Sequence, residues 1–181
     1  MKRLWVTGYR SYELNIFNEK DKKLQVIKYT LKKYYRSLLE NGELDWILSG
    51  GNLGIEQWSL EVGLELAKEY PIQIGMLTPY ADFSKNWNEK NQLRFEELKN
   101  KVDFYASISK KTYQNPGQLK NYQQFMFTHS DQALLIYDTE HPGKSRYDYE
   151  FIKKIQEKND YELNLIDFYD LQEAAEEYLT R

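Results

Sequence analysis

Two stretches of this chain gather residue types that could hold or act on a ligand. The first is Leu48-Ser49-Gly50-Gly51-Asn52-Leu53-Gly54-Ile55-Glu56-Gln57-Trp58, which reads as a buried strand, a glycine turn and a helix start. That order aims unpaired backbone N–H groups and the positive end of a helix dipole at one point, where phosphate is the usual occupant. The second is Thr7-Gly8-Tyr9-Arg10. There glycine permits close backbone approach, and Arg10 offers a bidentate contact to phosphate or carboxylate. Glu56 and Asp138 are the acids placed to act as general bases. Each has a structural alternative: Glu56 complements the dipole of its own helix, and Asp138 closes a strand-end turn.

These residues need a scaffold that brings them together. Short apolar runs at Arg3–Thr7, Asp45–Ser49, Ile72–Leu77, Val102–Ser107, Gln132–Tyr137 and Glu162–Ile166 read as strands. Several are near-continuously apolar, as expected for parallel strands covered on both faces. Helical segments alternate with them: Lys22–Glu40, Ile55–Tyr70, Lys85–Asn100, Pro116–His129, Ser145–Lys158 and Leu171–Tyr178. Asn41-Gly42 stops the first of these. The alternation predicts one doubly wound α/β domain over residues 1–181, with a mainly parallel sheet and helices on both faces.

In such sheets ligands bind beyond the carboxyl ends of the strands. The loops expected at that edge begin at Thr7, Gly50, Thr78, Ser107 and Tyr137. They carry the candidate binding residues Thr7, Gly8, Tyr9, Arg10, Gly50, Gly51, Asn52, Gly54, Glu56, Tyr80 and Tyr137. Trp87, Asn91, Arg94 and Leu98 fall at i, i+4, i+7 and i+11, so Trp87 could stack on a ligand and Asn91 bond it. An ordinary half-exposed helix with a buried tryptophan explains that stripe equally well. A dinucleotide G-x-G-x-x-G is absent after either of the first two strands, and Gly143-Lys144-Ser145 lacks the upstream glycine of a phosphate-binding P-loop. The two histidines are far apart and no metal-ligand spacing appears, so no metal site and no required cofactor are expected.

Composition narrows the partners. The net charge is -3, with 41% hydrophobic and 29% charged residues. That balance fits a soluble globular domain and argues against a nucleic-acid binder, which needs a basic excess. No cysteine is present, which excludes thiolate chemistry and disulfides. The run after Met1-Lys2-Arg3 is too short for a secretory core, and no segment approaches a membrane span, so a cytoplasmic location is expected.

Trp5-Val6-Thr7-Gly8-Tyr9-Arg10, the turn from Gly50 to Trp58, Pro79-Tyr80 followed by Trp87-Asn88-Glu89, and Ser130-Asp131 with Tyr137-Asp138 resemble the YpsA family. The matches keep the family's order and span nearly the whole chain. That family is similar to the SLOG superfamily, which includes the LOG and DprA/SMF proteins. The resemblance implies a Rossmann-like fold and a nucleotide-type ligand. The leading functional expectation is a sensor that binds a nucleotide or nucleotide-sugar, related to NAD or ADP-ribose, and reports that state to a protein partner. The resemblance also suggests a homo-oligomer, by analogy alone. A LOG-like phosphoribohydrolase, cleaving a nucleotide N-glycosidic bond, is the alternative. This chain departs from the LOG motif P-G-G-x-G-T-x-x-E: Ser49 replaces the proline, and Glu56 is out of register. DprA-like nucleic-acid binding ranks last, given the charge.

Overall fold

A computed structural model describes all 181 residues, Met1–Arg181. Its elements run β1 (Arg3–Gly8), α1 (Lys22–Glu40), β2 (Trp46–Ser49), α2 (Ile55–Leu66), β3 (Gln73–Thr78), α3 (Glu89–Lys101), β4 (Phe104–Ser107), α4 (Gly117–Thr128), β5 (Gln132–Ile136), α5 (Arg146–Gln156), β6 (Glu162–Ile166) and α6 (Phe168–Thr180). A single 3-10 turn, Ser11–Leu14, sits between β1 and α1.

All six strands pair in parallel, in the order β4-β3-β2-β1-β5-β6. This is the Rossmann-like doubly wound arrangement. The chain steps outward from β1 to β4, then returns to lay β5 on the other side of β1. Helix α1 packs on α2 and α6, and α2 on α3, while α4 packs on α5. Right-handed crossovers therefore put α1, α2 and α3 on one face and α4 with α5 on the other. The reversal of direction makes the carboxyl ends of β1 and β5 the topological switch point, where a crevice opens.

The strands form because their apolar runs are buried from both sides. Leu4, Trp5 and Val6 of β1 and Ala133, Leu134, Leu135 and Ile136 of β5 are buried completely. Each large side chain so buried contributes roughly 1.5–3 kcal/mol. Helix α1 starts where the Asp21 carboxylate accepts from the Lys23 N–H at 2.9 Å. It buries Leu24, Ile27, Leu31 and Tyr35. It ends at Gly42, whose φ of +68° lets the Glu43 N–H reach the Leu38 carbonyl at 2.8 Å.

Two boundaries differ from the sequence reading by four residues, and the others by three or fewer. Helix α2 ends at Leu66 rather than Tyr70, and turns complete the segment. Helix α3 begins at Glu89 rather than Lys85, because the Asn88 side chain caps it by accepting from the Asn91 N–H at 2.9 Å. Trp87 thus lies before the helix, and the stripe expected from Trp87 to Leu98 is not one helix face. Arg94 is drawn out of it by an ion pair with Glu19.

Gly54 joins the two ligand-type loops. Its φ of +124° is a glycine conformation. The β1 loop passes directly over it: Arg10 bridges Gly54, the Ser11 N–H donates to the Leu53 carbonyl at 3.0 Å, and the Ile55 N–H donates to the Tyr9 carbonyl at 3.0 Å. A Cβ on Gly54 would lie 2.5 Å from the Tyr9 oxygen and 2.6 Å from the Ser11 nitrogen. Gly54→Ala is therefore expected to lower unfolding stability by about 2 kcal/mol or more in urea denaturation. An unchanged midpoint and slope would show that the two loops are not locked here.

Candidate functional site

The crevice is built around a buried carboxylate. Glu56, in the first turn of α2, is 3% exposed. Its side chain folds back against the glycine turn. Oε1 accepts from the Asn52 backbone N–H and from Asn52 Nδ2, both at 2.9 Å, while Oε2 accepts from the Thr7 hydroxyl at 2.8 Å. Arg10 Nη1 stands 3.9 Å from Oε2 and donates to the Gly8 carbonyl at 3.2 Å. A buried carboxylate is tolerated only with such partners.

This changes the reading of the glycine turn. The Asn52 N–H already has an anion of the chain's own, and the Ile55 N–H is taken by Tyr9. The N–H of the buried Gly51 bonds no protein acceptor, whereas the Gly50 N–H is turned toward the Val6 carbonyl by the parallel β1–β2 register, in which Val6 pairs with Ser49. Neither glycine can carry a side chain. A Cβ at Gly50 would collide with Glu56 Oε1 and approach the Tyr122 hydroxyl to 2.7 Å, and one at Gly51 would meet the Phe95 ring at 2.6 Å.

From the opposite face come residues that the sequence reading missed. Tyr122 of α4 is 8% exposed, and its hydroxyl bonds nothing. Gln123 donates from Nε2 to Asp148 Oδ1 at 2.8 Å. Asp148 lies in the first turn of α5, where the charges of Glu56 and Arg10 act on it. The residue keeps some exposed surface, but its carboxyl group is densely surrounded. Burial pushes the carboxyl up to about 6, the Glu56 charge adds to the rise, and the Gln123 hydrogen bond and Arg10 oppose it. Gln118, Tyr122 and Met126, all buried, recur every four residues. That spacing was the available signal for an inward-facing Tyr122. Asp148 carried only its place three residues after Ser145, at the start of a helix.

Other residues expected in the site have structural work. The Tyr9 ring, 3% exposed, stacks on Phe168 at 5.2 Å and tilts against Tyr137 at 5.5 Å. Its hydroxyl donates to the His141 carbonyl at 2.7 Å and accepts from the Asp138 N–H at 2.9 Å. Tyr137 is 1% exposed. Neither ring has a free face for a ligand, because the aromatic stack ties β5 to α6. Asp138 accepts from the N–H groups of Glu140 at 2.9 Å and Phe168 at 3.2 Å. The Glu140 bond, with Phe168 and His141 assisting, holds its carboxyl below the usual carboxylate range. Asp138 thus fills the strand-end turn role, its two oxygens committed to backbone.

Tyr80 packs between Phe83 and Tyr113, and Trp87 meets Phe83 and Phe95 edge-on. These rings form an aromatic wall beyond β3, continuous with Gly51 through Phe95. Asn91, half-exposed, donates its backbone N–H to the helix cap. The α5 start, Gly143-Lys144-Ser145, is clamped to the β1 loop. Glu13 accepts from the Arg10 and Lys144 N–H groups at 2.7 and 2.9 Å, and the Ser145 hydroxyl donates to the Gly8 carbonyl at 2.6 Å. No three His, Asp or Glu side chains gather to hold a metal ion. No helix is long and apolar enough to cross a membrane. A separate groove of about 640 Å³ lies between α1 and α6, and its lining, including Leu14, Ile27 and Leu171, is mostly hydrophobic.

The family model for YpsA, described as the YspA SLOG family, matches residues 4–171. The chain belongs to the YpsA SLOG family. The match runs from β1 into α6 and so contains every residue of the crevice. Among YpsA-like relatives, a UPF0398 protein of Lactobacillus helveticus (strain DPC 4571) is 61% identical over 178 residues, covering 98% of this chain and 94% of the relative. A UPF0398 protein of Lactobacillus johnsonii is 61% identical over 178 residues, covering 98% and 95%. One of Limosilactobacillus reuteri (strain DSM 20016) is 51% identical over 183 residues, covering 100% and 96%.

The Asp148 carboxyl gives this YpsA-family site a pH signature. Folding raises its affinity for a proton, so the native state binds more protons than the unfolded chain between about pH 4 and pH 6. Asp148 therefore makes stability fall as pH rises through that window. Asp148→Asn keeps the acceptor for Gln123 and removes the slope. At pH 7.5 it is expected to be more stable than the parent by about 1–2 kcal/mol in urea denaturation. Superimposable stability–pH curves for the two proteins would show that the carboxyl ionises freely.

Proposed function

We propose that this chain binds a nucleotide or nucleotide-sugar, of the NAD or ADP-ribose type, in the crevice at the carboxyl edge of the sheet. The bound state is passed to a protein partner. One observation carries the reading: the N–H of the buried Gly51 bonds no protein atom, at the switch-point edge where Arg10 supplies a guanidinium. Buried donors are ordinarily satisfied, so a ligand group is their natural acceptor. Arg10 adds the positive charge that an anionic ligand needs. The aromatic wall at Tyr80 and Trp87 offers apolar surface to a base.

The test is a thermal-shift screen of nucleotides with protein first unfolded and refolded to remove carried-over ligand. A true ligand at a hundred times its Kd stabilises the fold by about 2.7 kcal/mol. Arg10→Ala should abolish the shift. A flat response to every nucleotide would end this reading.

A second reading, hydrolysis of a nucleotide N-glycosidic bond, is favoured by the unlike surroundings of Glu56 and Asp148. The protonated Asp148 carboxyl would donate to the departing base, while Glu56 takes a proton from the attacking water. Free base and sugar phosphate are the products. Incubation with nucleoside monophosphates should release base, and Glu56→Gln should cut the rate by a factor of about 100 or more. Turnover that survives the substitution would remove Glu56 from the chemistry.

A further inference from the structure

We propose that Asp148, Gln123 and Tyr122 form a subsite that reads a single sugar hydroxyl of the ligand. The inference rests on the binding reading above and names which part of the ligand meets α4 and α5. Tyr122 carries its first support. Its hydroxyl oxygen is sealed from solvent and has no hydrogen-bond partner. The only other buried side-chain polar atom in that condition, Trp5 Nε1, belongs to the sheet interior. Burying a hydroxyl without a partner is costly, so the polar lining here is incomplete without a group from outside the chain.

The surroundings decide what that group is. The Tyr122 hydroxyl and Glu56 Oε1 both crowd the space over Gly50, the hydroxyl 2.7 Å from where a Cβ there would sit, and the neighbouring Gln123 holds Asp148. Glu56 has its oxygens engaged by Thr7 and Asn52. Asp148 has Oδ1 engaged by Gln123, which fixes the carboxyl and leaves Oδ2 to accept. The corner therefore offers one donor, the Tyr122 O–H, and one acceptor, Asp148 Oδ2. A phosphate oxygen only accepts, and two carboxylates repel it. An ammonium only donates and leaves Tyr122 unpaired. A sugar hydroxyl accepts from Tyr122 and donates to Asp148, which satisfies both at once. Gly50 supports the same corner, because any side chain there would displace both the Tyr122 hydroxyl and Glu56. The phosphate end of the ligand then lies toward Arg10 and the unpaired Gly51 N–H.

The experiment is calorimetric titration at pH 7.5 with adenosine 5′-monophosphate and its 2′-deoxy and 3′-deoxy analogues, against the parent chain, Tyr122→Phe and Asp148→Ala. The parent should bind one of the two deoxy analogues about 10-fold or more weakly than the ribonucleotide, as expected for a hydrogen bond to a charged group. Both variants should bring that ratio to within about 2-fold while leaving affinity for the discriminated analogue unchanged. Tyr122→Phe removes only an unpaired oxygen, so its melting temperature should equal or exceed that of the parent, which guards against a folding defect. Equal affinity of the parent for all three nucleotides overturns the subsite and leaves the binding reading standing. So does an equal loss in both variants toward every nucleotide, which marks a structural role. Absence of binding by all three, in ligand-free folded protein, overturns the subsite and the binding reading together.

Discussion

Burial of the Glu56 carboxylate sets the terms for the whole carboxyl edge. A charge at 3% exposure must be surrounded by donors, and three different elements supply them: Thr7 from β1, Asn52 from the glycine turn and Arg10 from the β1 loop. Each partner is held there by something else. Thr7 is the penultimate residue of a strand buried on both faces. Asn52 follows two glycines that leave room for the folded-back glutamate. Arg10 is pinned by the backbone bridge to Gly54. Removing any one would take a donor or a counter-charge from a buried carboxylate.

The same carboxylate also remakes the binding edge. A glycine turn opening a helix ordinarily presents several N–H groups to a phosphate. Here an internal anion occupies the Asn52 N–H, and the β1 loop occupies Ile55. The donor left over is at Gly51, and the adjoining Gly50 lies beside the unpaired Tyr122 phenol. The edge is accordingly suited to a ligand with both anionic and hydroxyl groups, rather than to phosphate alone. The α4–α5 face thereby takes part in what the loops of β1 and β2 alone cannot recognise.

Across the rest of the edge, polar residues at strand ends serve backbone closure. Ser49 donates to the Val6 carbonyl at 2.5 Å, and Ser145 donates to Gly8. Tyr9 and Asp138 lock the β5 loop to α6. These contacts make the β1, β2 and β5 loops one rigid frame. They also explain why chemically attractive residues in those loops are unavailable: a hydroxyl or carboxylate that satisfies buried backbone is no longer free for a ligand.

The sequence by itself determined the strands, the helices, their alternation and hence the parallel doubly wound sheet. Continuous apolar runs and 3.6-residue stripes are local patterns, and burial on both faces leaves one architecture that satisfies them. It also determined that Gly50, Gly51, Gly54 and Glu56 share a turn, since they are neighbours in the chain. The Asn88 cap was legible only as a choice among several polar residues, so the start of α3 moved and Trp87 left the helix. Tertiary structure alone decided which way the side chains of the turn point and what faces them. Glu56 turning inward, Tyr9 turning away, and Tyr122 and Asp148 arriving from α4 and α5 all depend on contacts between residues dozens of positions apart. No local periodicity encodes those distances. They are set by how far each crossover carries the chain over the sheet before it returns to the switch point.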